Sequence, residues 1–276
     1  MSKIIAVANQ KGGVGKTTTC INLSSFVAAM GKRTLMIDID PQGNCTSGIG
    51  VEKKELRASI YNVLVGECSA KDATVKTCVE GLDLIPSNID LAGAEIELIK
   101  VPNREKVLRS ILQPLKNKYD YIFIDCPPSL ALLTVNALTA ADSILIPIQG
   151  EFFALEGLSQ LMNTIRLAKK HLNPTLEVEG VLLTMYDGRS NLVASVTSEI
   201  IKFFGKSVYS HRIPRNIKLG EAPSYGKPIM HFEPRCSGSI AYKALAEEFL
   251  ERNKDYNYTK ITSMASLKRK AVKPQQ

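Results

Sequence analysis

Apolar positions fall into short unbroken runs separated by longer segments with helical spacing. Residues 4–8 (IIAVA) form a continuous β-prone run, the kind buried on both faces of a parallel sheet. Residues 34–39 (TLMIDI), 82–86, 121–125 (YIFID), 143–148 (SILIPI) and 178–185 repeat the pattern, and 208–213 predicts a further strand. Between these runs the period lengthens. Residues 17–30 read as a helix closed by Gly31. Leu155, Leu158, Leu161, Met162, Ile165, Ala168 and Leu172 share one helical stripe. Val193, Val196, Ile200 and Phe203 share a second, and Ile240, Ala244, Leu245 and Phe249 a third. Alternation of this kind predicts an α/β domain, a mostly parallel twisted sheet with helices on both faces. Binding sites in such sheets lie at the carboxyl ends of the strands. One domain is expected over residues 1–252, followed by a tail over 253–276.

Composition narrows the class. A hydrophobic share of 45% with 22% charged residues fits a soluble chain with a sizeable core. No apolar run approaches the roughly 18–20 residues that cross a bilayer. Met-Ser-Lys leads straight into the first strand-like run, which argues against a secretory signal. The six cysteines contain no C-x-x-C pair, so reduced thiols in a cytoplasmic protein are expected rather than metal-thiolate chemistry. Three well-separated histidines offer neither a zinc site nor a nucleophilic triad. The net charge of +8 is uneven. Six basic residues against one acid give residues 253–276 +5, so the other 252 carry only +3. The tail therefore reads as a solvated, disordered basic extension with affinity for polyanions.

The chemistry gathers where strands end. Gly12, Gly13, Val14, Gly15, Lys16, Thr17 and Thr18 follow the first strand and open the first helix, the setting of a phosphate-binding P-loop. Its glycines let backbone N–H groups curl round a β-phosphate. Lys16 adds a point charge between the β- and γ-phosphates, the helix start adds partial positive charge, and the Thr17 hydroxyl suits Mg²⁺. The second strand ends in Asp38-Ile39-Asp40-Pro41, and alternation puts both carboxylates on one side near the phosphates. Asp40 also suits a turn cap before Pro41. Tyr121–Asp125 is four apolar residues followed by an acid, a Walker B pattern in which Asp125 holds Mg²⁺ through water.

The P-loop departs from the common pattern, with Gln10 at the place of its first glycine and Lys11 next. The string KGGVGKTT resembles the deviant Walker A motif of the ParA/MinD group of ATPases. DIDPQG, IDCPPS and IPRN follow in that family's order, so the resemblance spans residues 1 to about 250. It is nearest the short, chromosome-type Soj-like members, which lack an N-terminal helix-turn-helix extension. The resemblance implies a single P-loop NTPase domain binding ATP or ADP with Mg²⁺, and a weak ATPase. Lys11 would reach across a nucleotide-sandwich homodimer to the partner's phosphates, supplying in trans the cation that phosphoryl transfer requires. Asp40 would orient the attacking water and Asp38 would lie near the Mg²⁺ shell. Pro214 would rest against adenine and Asn216 would hydrogen-bond it.

Residues 187–235 hold eight basic residues and four acids. On composition this is an ordinary solvated face. The resemblance instead implies nonspecific double-stranded DNA bound by the ATP dimer, with Arg189, Arg215 and Lys218 as contacts. It also implies a ParB-type centromere-binding partner that stimulates hydrolysis, and a cytoplasmic, nucleoid-associated protein that partitions chromosomes or plasmids. The competing reading is a MinD-like membrane ATPase. Ile261, Met264 and Leu267 make a faint stripe in the tail, too short for stable membrane association. No cysteine pair suits a bridging cluster, as a nitrogenase-reductase-like carrier would need, and a nucleotide-binding adaptor without activity would lack Asp40.

Overall fold

A computed structural model describes residues 2–151, 154–254 and 256. The side chain of Leu155 and most of the expected tail, with Ile261, Met264 and Leu267, lie outside the described residues. Among the described residues, seven strands form one sheet: β1 (Lys3–Val7), β2 (Thr34–Asp38), β3 (Val75–Lys76), β4 (Leu82–Ile85), β5 (Tyr121–Asp125), β6 (Ser143–Gln149) and β7 (Glu177–Thr184). Their order is β3-β4-β2-β5-β1-β6-β7, parallel throughout except for the antiparallel β3–β4 edge. The helices are α1 (Lys16–Ala29), α2 (Asn44–Gly48), α3 (Ile60–Leu64), α4 (Leu91–Glu97), α5 (Val107–Leu112) and α6 (Leu132–Ala140). After them come α7 (Ala154–His171), α8 (Asn191–Phe204), α9 (Ile217–Glu221), α10 (Ile229–Phe232) and α11 (Ser237–Arg252).

The unbroken apolar runs have a direct cause. Alternate residues of one strand serve two different cores, so neither face tolerates polar groups. Ile4, Ile37, Ile124 and Ile146 face a core built with α3 to α8. Their neighbours Ile5, Met36, Phe123 and Leu145 face a second core built with α1, α2 and α9 to α11. Phe249 of α11 closes the second core against Phe123 and Tyr121, with ring centroids 5.5 and 5.1 Å away. In register, Val7 lies opposite Asp125, which lies opposite Asp38. Three strands therefore end at one level, and their next residues surround one point.

Three local expectations change. Residues 208–213 do not form a strand: only Val208 bridges to Val181, and Tyr209 and Ile213 donate to β7 carbonyls at 2.9 Å. The amides between them turn away, because Ser210 N and His211 N donate to the Glu248 carboxylate at 2.9 and 3.1 Å. Phe203 is exposed, its ring edge-to-face with Phe204 at 4.8 Å between centroids, and Phe204 takes the half-buried place at the helix end. In α11 the i, i+3, i+4, i+7 spacing is filled by Tyr242, Leu245, Ala246 and Phe249. Ile240 falls off that stripe and is exposed.

Candidate active site

The carboxyl ends of β1, β2, β5 and β7 open into one cavity of about 840 Å³. Gly12, Gly13, Gly15, Lys16, Thr17 and Thr18 form one wall, Asp40 and Pro128 flank it, and Pro214, Arg215 and Asn216 form the far wall. The loop after β1 is tethered at both ends. Asn9 Nδ2 donates to the Pro147 carbonyl at 2.7 Å, and Thr184 Oγ1 donates to the Val14 carbonyl at 2.8 Å. Gly13 and Gly15 have φ of +73° and +85°, the left-handed region that a side chain disfavours. A Cβ on Gly12 or Gly13 would meet no atom within 4 Å, so open space of the kind a phosphate fills lies against the loop. Gly15 caps α1 without a side-chain bond, leaving the first amides of that helix to a ligand.

Charge in the cavity is arranged around two buried acids. Asp125 is fully buried, and both its carboxylate oxygens lack a hydrogen-bond partner. Burial, and then the charge of Asp38, hold its pKa well above the carboxylate range. Asp38 is also fully buried, and burial pushes its pKa up to about 6. Its oxygens are spoken for: Oδ2 accepts from Thr46 N and Oγ1 at 2.8 and 2.7 Å, and Oδ1 from Asp40 N at 3.1 Å. Asp38 thus shapes the segment from Asp40 to Thr46, while Asp125 alone of the pair has oxygens free. A hard cation suits such an oxygen site, with water and phosphate completing its shell. Asp40 lines the cavity and caps the turn as well, its Oδ1 accepting from Gln42 N at 2.9 Å.

The two P-loop lysines are placed differently. Lys16 is nearly buried, and its Nζ donates to the Lys11 carbonyl at 3.1 Å. Burial lowers its pKa, opposed by Asp125 and Asp40. The Lys11 ammonium is ion-paired with Glu151, just ahead of α7, with both side chains partly exposed. Cys126 is buried with its thiol directed at the Ile124 carbonyl, a small packed residue rather than a reactive one.

At the far wall, Tyr186 N donates to the Ile213 carbonyl at 2.9 Å, and Tyr186 bridges to Pro214. Met185, next to Thr184, adopts φ +47° at the cavity edge. Asn216 Nδ2 donates to Ser237 Oγ at 2.8 Å. Of the three expected DNA contacts, only Arg215 lines the cavity. Arg189 is exposed and bound twice by Asp187, at 2.9 and 2.8 Å, which holds the Asp187 pKa down to about 2. Lys218 pairs with Glu221 at 2.8 Å. The cavity also includes Thr184, at the strand end expected near the base loop, and Asn44 and Tyr242, which sequence reading did not single out. Asn44 directly follows DIDPQG and was within reach of that motif. Tyr242 was not, because only the packing of α11 on α1 brings its hydroxyl 3.0 Å from Thr19 Oγ1.

A protein-family model for an AAA domain matches residues 2–178. The chain is 56% identical to the sporulation initiation inhibitor protein Soj of Bacillus subtilis, over 90% of this chain and 98% of Soj. It is 51% identical to the chromosome partitioning protein ParA of Caulobacter vibrioides, over 92% of this chain and 96% of ParA. Among solved structures, cobyrinic acid a,c-diamide synthase from Mycobacterium smegmatis with bound ADP and magnesium superposes with a TM-score of 0.81. That structure is 37% identical, and the match covers 92% of this chain and 96% of that one.

Proposed function

The chain belongs to the Soj/ParA family of chromosome-partitioning ATPases, and we propose that it is an ATP-driven dimerising switch that binds nonspecific DNA and partitions a chromosome or plasmid. The observation that carries the reading is the buried, unpartnered Asp125 carboxylate behind Lys16 and the P-loop. It needs a cation, and the neighbouring loop needs an anion; a magnesium–nucleotide complex supplies both.

In this reading the amides of residues 12–18 and Lys16 grip the phosphates of ATP. Thr17 and Asp125 would hold Mg²⁺, with Asp38 fixing the adjacent turn from behind. The ion would supply positive charge against the phosphates in the transition state. Asp40 orients the attacking water from the cavity rim. Lys11 leaves Glu151 and reaches the phosphates of a second copy, so neither copy hydrolyses alone. Pro214 and Asn216 receive the adenine. Because ATP binds the closed dimer preferentially, it shifts the monomer–dimer equilibrium by that difference in affinity. The dimer holds DNA phosphates through Arg189, Arg215 and Lys218 until hydrolysis, slow by itself and stimulated by a ParB-type partner, releases it. The ATPase domain spans residues 1–252, and the protein works in the cytoplasm on the nucleoid.

Co-sedimentation tests this directly. With ATP and Mg²⁺ the chain is expected to pellet with random-sequence duplex DNA and not with liposomes; with ADP it is expected to stay in solution. Pelleting with liposomes instead would favour the membrane ATPase reading.

A further inference from the structure

We propose that Ser87 is a positioning residue for hydrolysis: its hydroxyl fastens the turn that carries Asp40 to the end of β4 and so sets where the Asp40 carboxylate meets the attacking water. The inference rests on the reading of Asp40 as the residue that orients that water, and adds to it the group that holds Asp40 in place.

Four residues close a ring of hydrogen bonds behind the cavity. Asp40 N donates to Asp38 Oδ1 at 3.1 Å, and Thr46 Oγ1 donates to Asp38 Oδ2 at 2.7 Å. Ser87 N donates to Thr46 Oγ1 at 2.9 Å, and Ser87 Oγ donates to the Asp40 carbonyl at 2.8 Å, which returns the ring to Asp40. The direction of the last bond is fixed. A backbone carbonyl only accepts, so the Ser87 hydroxyl is the donor. Asp38, Thr46 and Ser87 are fully buried and Asp40 nearly so, and water does not readily replace a lost link there.

The ring matters because the turn is shaped locally but placed from outside. Residues 40–43 close on themselves, with Gly43 N on the Asp40 carbonyl at 2.8 Å and Gln42 N on Asp40 Oδ1 at 2.9 Å. Asp38 ties this turn to β2, and Ser87 ties it to β4. Residue 87 is itself anchored, since Pro86, directly after β4, accepts at 2.8 Å from Ile60 N at the start of α3. It is also pressed close: a Cβ on Gly43, whose φ is +61°, would lie 2.8 Å from the Ser87 carbonyl oxygen. The remaining contact, Lys53 Nζ on the Gln42 carbonyl at 2.8 Å, is exposed and made through a long flexible side chain. Asp40 lines the cavity with Oδ1 already taken by the turn. A swing of the turn therefore carries its other oxygen off the water, and a misplacement of about 1 Å costs up to about a hundredfold in rate.

The test measures ATP turnover with Mg²⁺ at protein concentrations where the rate per chain no longer rises, so that dimerisation does not limit it. The unaltered chain is compared with Ser87→Ala and Ser87→Thr, each checked for an unchanged melting midpoint. Ser87→Ala is expected to lower kcat about tenfold and leave KM for ATP within about twofold. Ser87→Thr keeps the hydroxyl and should recover most of that loss. Unchanged kcat in Ser87→Ala, or a change in KM alone, overturns the proposal. So does Ser87→Thr as slow as Ser87→Ala at an unchanged midpoint, because the hydroxyl is then not what matters. If the added methyl of threonine lowers the midpoint, Ser87→Cys decides, being close to serine in size but a poor donor. It should be as slow as Ser87→Ala, and full turnover in it overturns the proposal. Asp40→Ala is run beside them and is expected to bind ATP without turning it over. Turnover retained there defeats the reading of Asp40 itself, a failure distinct from that of Ser87.

Discussion

Gly50 and Gly226 meet backbone to backbone: a Cβ on Gly50 would lie 2.6 Å from the Gly226 carbonyl oxygen, and one on Gly226 would lie 2.6 Å from Gly50 Cα. Both have positive φ, +87° and +61°. Gly50 closes the segment that carries Asn44 and Ser47, and Gly226 closes the turn that carries Pro223 and Ser224, all four lining the cavity. The contact therefore joins the acidic side of the site to the base side. Gly226→Ala adds a left-handed alanine and an overpacked methyl, together about 3 kcal/mol. In a chain of this size, that is a fall in melting midpoint of roughly 6–12 °C. Gly157→Ala is the control, since a methyl there meets nothing within 4 Å and lies in α7. It should leave the midpoint level or raise it slightly. An unchanged midpoint in Gly226→Ala would show that the two segments are not locked together.

Asp38 and Asp125 make the Mg²⁺-free chain sensitive to pH in a defined direction. Both carboxyls have folded pKa values above their ordinary ones, Asp38 at about 6. The folded state thus holds more protons than the unfolded state, and the stability these groups contribute is lost as pH rises. For Asp38 the loss runs between about pH 4 and pH 6. Stabilisation by Mg²⁺ and ADP should run the other way and grow between pH 5 and 7.5, because the cation favours the charged carboxylates. Asp125→Asn removes a buried carboxyl that the folded chain holds against ionisation. It is expected to raise the Mg²⁺-free midpoint by about 3–6 °C, the equivalent of ~1–2 kcal/mol, while abolishing Mg²⁺-dependent hydrolysis. Calorimetry across pH, with and without Mg²⁺ and ADP, reads both effects; a lower Mg²⁺-free midpoint in Asp125→Asn would count against a burial penalty on this carboxyl.

Strands and phosphate loop were legible because each is dictated within a few residues. Ile4 and Ile5 point into different cores, so a strand buried twice must be apolar at every position. Gly13 and Gly15 mark left-handed backbone that any reader of the loop expects. What escaped depends on partners far along the chain. Residues 208–213 have a strand's composition, but Glu248 on α11 takes two of their amides. Alternation puts Asp38 and Asp40 on one side, yet only the fold shows Thr46 saturating an Asp38 oxygen. Lys11 carries no local sign that Glu151, 140 residues on, is its ion-pair partner.

That ion pair bounds the cost of moving Lys11. Both side chains are partly exposed, with 35% and 47% of their surface accessible. Pairs of this kind contribute about 0–1 kcal/mol, so the lysine is easily released. Glu151→Gln should therefore change ATP turnover by no more than about fivefold. Lys11→Ala should lose turnover almost completely while still binding ATP, if the lysine acts on the phosphates of a second copy. The decisive measurement is phosphate release at rising protein concentration. Normal turnover in Lys11→Ala would defeat the dimer-switch reading.

Arg189 offers a test of the DNA surface in both directions. Its side chain is 90% exposed and yet doubly bonded to Asp187, so part of its charge is already engaged. Lys218 is engaged in the same way by Glu221. If Arg189 contacts a DNA phosphate, Asp187 competes with that phosphate for the guanidinium. Arg189→Glu should then abolish DNA retention with nucleotide affinity intact. Asp187→Asn should strengthen retention at low salt, since it removes an opposing charge without touching the arginine. The signature is in the salt dependence: each lost phosphate contact flattens the plot of log affinity against log salt by about one. Arg189→Ala should show that smaller slope, and Asp187→Asn should keep the original slope with higher affinity throughout. Equal affinities and slopes for all three variants in a filter assay with ATP would place the DNA contact elsewhere on the chain.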